Sequence, residues 1–138
     1  MTVPRSVPRG DTALVNVNAA PSMRVRWAIL VVGLGATSVL FLDLCDLIFA
    51  CGCEAFWLTA AEHCNIQTAG RPDCPWCATG LWGSVVPIGA VAGTQAMAAL
   101  PSGTGSAARR LTLVTAALPI VGGLVGVAFG LVLGYWAP

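Results

Sequence analysis

The chain has no lysine, one histidine and very little charge, with charged residues at only 9% of its 138 positions. A water-soluble domain carries about 25%. With 57% of residues apolar, there is too little polar surface to coat a globule in water, so the chain belongs in lipid. The net charge of +1 and the absence of a basic stripe argue against a nucleic-acid partner. Glu54 and Glu62 are a pair of acids, but no nucleophile, base and oxyanion set accompanies them. No phosphate-binding loop is present. Hydrolysis and phosphoryl transfer are therefore not suggested, and no cofactor is implied.

What the chain does have is three long apolar runs and a concentration of sulfur. Residues 1–23 are polar and broken by Pro4, Pro8 and Pro21, and read as a disordered cytoplasmic tail. The apolar run after it begins near Trp27 and is too long for a signal peptide, so it reads as an uncleaved first span. Crossing ~30 Å of hydrocarbon takes about 20 residues of helix. Spans are expected at about 27–50, 78–100 and 111–136, with bends at Pro87 and Pro119. Tyr135 and Trp136 supply an interfacial anchor. The expected fold is an all-α integral membrane protein, a three-helix transmembrane bundle over residues 24–138 with a cysteine-rich extracytoplasmic loop at 51–77.

Orientation follows from arginine. Arg5, Arg9, Arg24 and Arg26 precede the first run, and Arg109 and Arg110 separate the second from the third. Arg71 alone falls on the other side. Cytoplasmic segments carry the excess of basic residues. The N-terminus is then cytoplasmic, the membrane is the inner one, and the sulfur-rich turn lies outside.

Two patterns inside the spans stand out. Gly122, Gly126, Gly130 and Gly134 recur every four residues, a stripe that admits a second backbone closely. Gly89 and Gly93 offer a counterpart in the second span. The stripe is expected to pack spans two and three within one molecule, or to receive a second copy or another membrane subunit. Asp43 and Asp46 share one face of the first span. An intramembrane carboxylate costs about 2.5–3.5 kcal/mol, so these acids mark a proton or ion site or a partner contact, or else the span ends early and both reach the headgroups. Gln95 reads as polar packing glue between helices.

The stretch Cys51–Cys77 holds five of the six cysteines and the only histidine. Three chemistries suit it. In an oxidising compartment Cys51, Cys53, Cys64, Cys74 and Cys77 are disulfide candidates, and a bridge closing such a loop contributes ~3 kcal/mol in the chain-entropy model. Cys51 and Cys53 are too close for a relaxed mutual bond. Alternatively, Cys74-Pro75-Trp76-Cys77 is a CxxC entering a helix, where Pro75 suits the first position and the helix terminus favours a thiolate at Cys74. Asp73 opposes that thiolate. Cys74 and Cys77 would be the catalytic pair of a membrane thiol–disulfide oxidoreductase. Lastly, Cys51, Cys53, His63, Cys64, Cys74 and Cys77 contain two half-sites for zinc. Residues Glu54–His63 read as a short interfacial helix with Phe56, Trp57 and Leu58 toward lipid. The leading expectation is a non-enzymatic membrane subunit or scaffold with a disulfide-locked cap.

Over Cys64–Thr79, CNIQTAGRPDCPWCAT, the chain resembles a family of small bacterial membrane proteins, the domain of unknown function DUF2752. That family shows a cysteine, a loop containing Thr-Gly, then Cys-Pro-x-Cys-Gly-x-Thr-Arg opening a span. Cys64, Cys74, Pro75 and Cys77 match in spacing, and Gly70 lies near the loop glycine. Ala78 stands where the family has glycine, Thr79 comes one place early, no arginine follows, and the Cys51–Cys53 pair is additional. The resemblance implies the layout of one span before the motif and two after it. The family has no settled activity, so it implies none here.

Overall fold

A computed structural model of the chain describes residues 20–52, 73–103 and 105–137. The expected tail, Arg5, Arg9, Arg71, Cys53, His63, Cys64 and the Glu54–His63 helix lie outside the described residues. Every described element is helical. In order they are α1 (Met23–Phe49), α2 (Pro75–Ala78), α3 (Leu81–Ala99), α4 (Ala107–Ala117), a π-helical turn (Leu118–Gly122) and α5 (Gly123–Val132).

Among the described residues, two helices are long and apolar enough to cross a membrane: α1, and the continuous helix Ala107–Val132 formed by α4, the π turn and α5. Only 33% and 28% of their apolar windows are buried, unlike the core helix of a soluble globule. The three-span expectation is met in length and hydropathy by these two. The second run forms α3, 19 residues long, whose Ser84, Thr94 and Gln95 dilute its hydropathy.

Each long helix buries only a narrow inward stripe and leaves many of its large apolar residues exposed. On α1 the buried positions are Ile29, Leu30, Gly33, Thr37, Phe41, Cys45 and Phe49, whereas Val31, Val32, Leu40 and Leu47 are exposed. On α3 the buried positions are Gly83, Pro87, Val91, Gln95 and Ala99, again four apart. An apolar outer surface this extensive is the reverse of a soluble bundle. Gln95 joins the three long helices at mid-height. Its Nε2 donates to Gly33 O at 3.3 Å, Thr37 Oγ1 at 2.8 Å and Val114 O at 3.2 Å.

The prolines act differently. Pro87 stays within α3. Pro119 has no N–H to return to the preceding turn, and the helix widens there into the π turn.

One end of the bundle is held by arginine. Arg26 Nη1 donates to Leu100 O at 3.4 Å, which ties the start of α1 to the end of α3. Arg110, 6% exposed, donates to Ala98 O at 3.2 Å, Ala99 O at 3.0 Å, Gly103 O at 3.0 Å and Gly105 O at 3.4 Å. These include carbonyls that the end of α3 leaves without intrahelical partners. Ser106 completes the turn by accepting from the Arg109 N–H at the start of α4. Arg110→Ala is expected to lower stability by about 2–3 kcal/mol, since hydrogen bonds to charged groups contribute roughly 1.5–3 kcal/mol. Arg110→Lys should recover only part of this, because an ammonium lacks the guanidinium fork. Unfolding of the detergent-solubilised variants measures both.

Candidate functional site: a buried cysteine cluster

The other end of the bundle is built around sulfur. Phe41, Cys45 and Phe49 follow one another every four residues on the inward face of α1. The helix then stops. Ala50 is left-handed (φ 46°) and its N–H returns to Asp46 O at 2.7 Å. Gly52 follows with φ 71°, and its N–H donates to Asp46 Oδ1 at 2.7 Å. This reversal folds Cys51 back beside Cys45. Cys74 enters from the far side of the loop, immediately before α2, with Pro75 at the first helical position as expected.

The result is a convergence of three thiols. Cys45 Sγ lies 3.4 Å from Cys51 Sγ and 3.3 Å from Cys74 Sγ. All three sulfurs fall within 4.8 Å of one another. Their residues are 1%, 2% and 0% exposed. Cys77, half-buried, packs against the same cluster. None of these spacings is the roughly 2.0 Å of a disulfide. Hydrogen bonds from the thiols of Cys45, Cys51 and Cys77 hold Cys74 well below the ordinary thiol range, against the opposing effect of burial.

Aromatic rings enclose the cluster. Trp76 stacks on Phe41 at 4.6 Å and 6°, and meets Phe49 edge-on at 5.7 Å. Tyr135 donates its hydroxyl to Phe49 O at 2.5 Å, and Trp136 stacks on Phe49 at 5.8 Å. Trp76 brings its own requirement: its indole N–H is buried without an acceptor among the described residues.

The glycine stripe serves this end, with partners beyond the one expected. A Cβ at Gly122 would sit 2.7 Å from Leu44 Cδ2. One at Gly126 would sit 2.7 Å from Ile48 Cδ1 and 3.1 Å from Trp76 Cζ2, and one at Gly130 would overlap the Trp136 ring. The stripe therefore receives α1, Trp76 and Trp136 as well as the second span, its expected partner, which Gly122 meets at Val91 Cγ2 (3.5 Å from a Cβ there). Gly89 and Gly93 do not face it: Gly89 is exposed, and a Cβ on either would meet nothing within 4 Å. The glycine that α3 needs is Gly83, where a Cβ would collide with the Trp76 carbonyl. Gly134 does not continue the stripe. With φ 67° it ends the helix, as Tyr135 N–H reaches Gly130 O at 2.8 Å and Gly134 N–H reaches Leu131 O at 3.3 Å. The third helix thus stops at Val132, and Tyr135 and Trp136 turn back onto the bundle.

Asp46 is accounted for by the turn it caps. Asp43 lines an open groove of about 400 Å³ beside α1, with Thr37, Leu40, Gln95 and Pro119. The two acids face different surroundings although they lie three residues apart.

Of the sulfur residues singled out in sequence, the structure brings together Cys51, Cys74 and Cys77. Cys45 is not among them, yet it is the sulfur the others share. Its signal is the Phe41–Cys45–Phe49 spacing, which puts it on the same inward face as two rings. Cys74 is fully buried and Cys77 is the more reachable of the CxxC pair, whereas the helix terminus favours Cys74 as the reactive thiol.

Comparison with known proteins adds nothing to this geometry: no family model, curated protein or solved structure matches the chain.

Proposed function

We propose that the chain is a small three-span protein of the inner membrane, with its N-terminus cytoplasmic, and that it acts as a non-enzymatic subunit or scaffold. Its outer end is a cap locked through sulfur. The observation that carries this reading is the separation of the two ends of the bundle. Arg26 and Arg110 hold one end, while Cys45, Cys51 and Cys74 close the other. The basic end faces the cytoplasm by the positive-inside tendency. Asp46 and Asp73 sit at the sulfur end, and α3 completes the bundle as the second span. The lipid bilayer covers the apolar outer faces. Gly89 and Gly93 remain open on α3 for contact with another membrane subunit or a second copy.

Linking the sulfurs joins the end of α1 to the start of α2 across the intervening loop. That restrains the unfolded chain, an effect worth ~3 kcal/mol for a loop of this kind. The test is thermal unfolding of the detergent-solubilised chain with a reductant and a metal chelator added together. The midpoint is expected to fall by about 8 °C or more. A midpoint unmoved by both agents would remove the sulfur lock.

A second reading is thiol–disulfide exchange, favoured by the half-buried Cys77 standing beside three buried thiols. There two cysteine thiols would give up two electrons and two protons to a partner's disulfide, which becomes two thiols. A Cys74→Ala variant that leaves Cys77 in a stable mixed disulfide would establish it.

A further inference from the structure

We infer that Cys45, Cys51 and Cys74, with Cys77 as the fourth ligand, form a binding site for one d10 metal cation of the zinc type. This rests on the sulfur-locked cap proposed above and names what does the locking.

The arrangement of the sulfurs is the first ground. Cys45 has two sulfur neighbours at nearly equal distance, 3.4 and 3.3 Å. A disulfide would use one neighbour and leave the other as a buried thiol. A metal ion uses all of them. With two edges of the sulfur triangle at 3.4 and 3.3 Å and the third no longer than 4.8 Å, a point equidistant from the three sulfurs lies within the ~2.3 Å reach of a zinc–thiolate bond. An ion slightly out of that plane reaches all three and leaves a tetrahedral position, to which we assign Cys77, which packs against the same cluster.

Charge points the same way. Asp43, Asp46 and Asp73 at this end are acids, and Arg24, Arg26, Arg109 and Arg110 belong to the opposite end. No protein cation among the described residues lies beside the sulfurs in their box of Phe41, Phe49 and Trp76, so a divalent cation bound there would offset part of the charge of the thiolates that hold it. The donor set is all sulfur, which selects soft and borderline ions over magnesium or calcium. Loading the four thiols forms four metal–sulfur bonds and releases four protons, so binding weakens as pH falls.

The experiment uses the full chain purified in detergent without added reductant, with zinc(II) as the probe. Elemental analysis is expected to show one zinc per chain, retained in a Cys53→Ser/Cys64→Ser variant. Chelator alone should lower the thermal midpoint, and reductant alone should leave it unchanged. Cys45→Ser should weaken zinc binding at least about a hundredfold, in keeping with the loss of a ligand. If that variant fails to fold, the wild-type responses still decide. Sensitivity to reductant alone, with Cys45 mapped in a disulfide, overturns the metal site and leaves the sulfur lock standing. Insensitivity to both agents overturns the two together.

Discussion

Gly83→Leu is expected to unlatch the sulfur end of the bundle, whereas Gly89→Leu, less than two turns along the same helix, should do almost nothing. The two glycines look alike in sequence. In the folded chain even a methyl group at Gly83 would collide with the backbone carbonyl of Trp76 and crowd Thr79 Oγ1. A backbone atom cannot swing aside as a side-chain tip can. The collision must push α2 away from α3, and α2 carries Trp76 and Cys77, with Cys74 just before it. Overpacking a tight contact costs typically about 1–3 kcal/mol, and this one should lie at the upper end. Gly89 is exposed, and a methyl group there would meet nothing within 4 Å. Gly89→Leu should therefore change stability by less than about 0.5 kcal/mol. Unfolding midpoints of the two variants, together with alkylation of Cys74, measure the contrast. Equal destabilisation would mean that α2 is not seated on Gly83.

Cys45→Ala is expected to be the most damaging of the cysteine substitutions. Cys45 is the sulfur shared by Cys51 and Cys74, so its loss removes both short contacts at once. Cys51→Ala removes only one of those two. Whether the bond is sulfur–sulfur or sulfur–metal, the closure it provides is worth about 2–5 kcal/mol in small domains. Losing Cys45 should therefore lower stability by about 3 kcal/mol and open Cys51 and Cys74 to alkylation in the native protein. Cavity formation is a minor part, because alanine removes a single sulfur. A Cys45→Ala protein with wild-type stability and unreactive Cys51 and Cys74 would show that the convergence is only packing.

Much of the helical layout is legible in the apolar runs. Runs near 27–50 and 111–136 correspond to α1 and the helix Ala107–Val132, because a helix must satisfy its own backbone wherever water is scarce. The run at 78–100 forms α3, but with a break at Thr79 and Gly80 that separates α2 from it. What sequence does not supply is pairing. Glycines in register define a face, yet a face does not name all its partners, and here they are α1 and two tryptophans in addition to Val91 of α3. Cys45 escapes notice because a straight helix places it below the other cysteines. The left-handed Ala50 and Gly52 reverse the chain, and depth along the helix then ceases to measure distance from Cys51. Gly134 shows the same limit: its spacing fits the stripe, and only its backbone conformation reveals that it ends the helix.

Three crossings with the sulfur end outside are the central claim, and reporter fusions measure them directly. An alkaline phosphatase and a fluorescent protein, active outside and inside respectively, are placed in turn at positions 60, 103 and 137. The expected pattern is outside, inside, outside, since α3 is proposed to cross the bilayer between the first two. An inside result at position 60 would put the cysteine cluster in the cytoplasm. The same side at 60 and 103 would mean that α3 does not span, and either outcome would contradict the account.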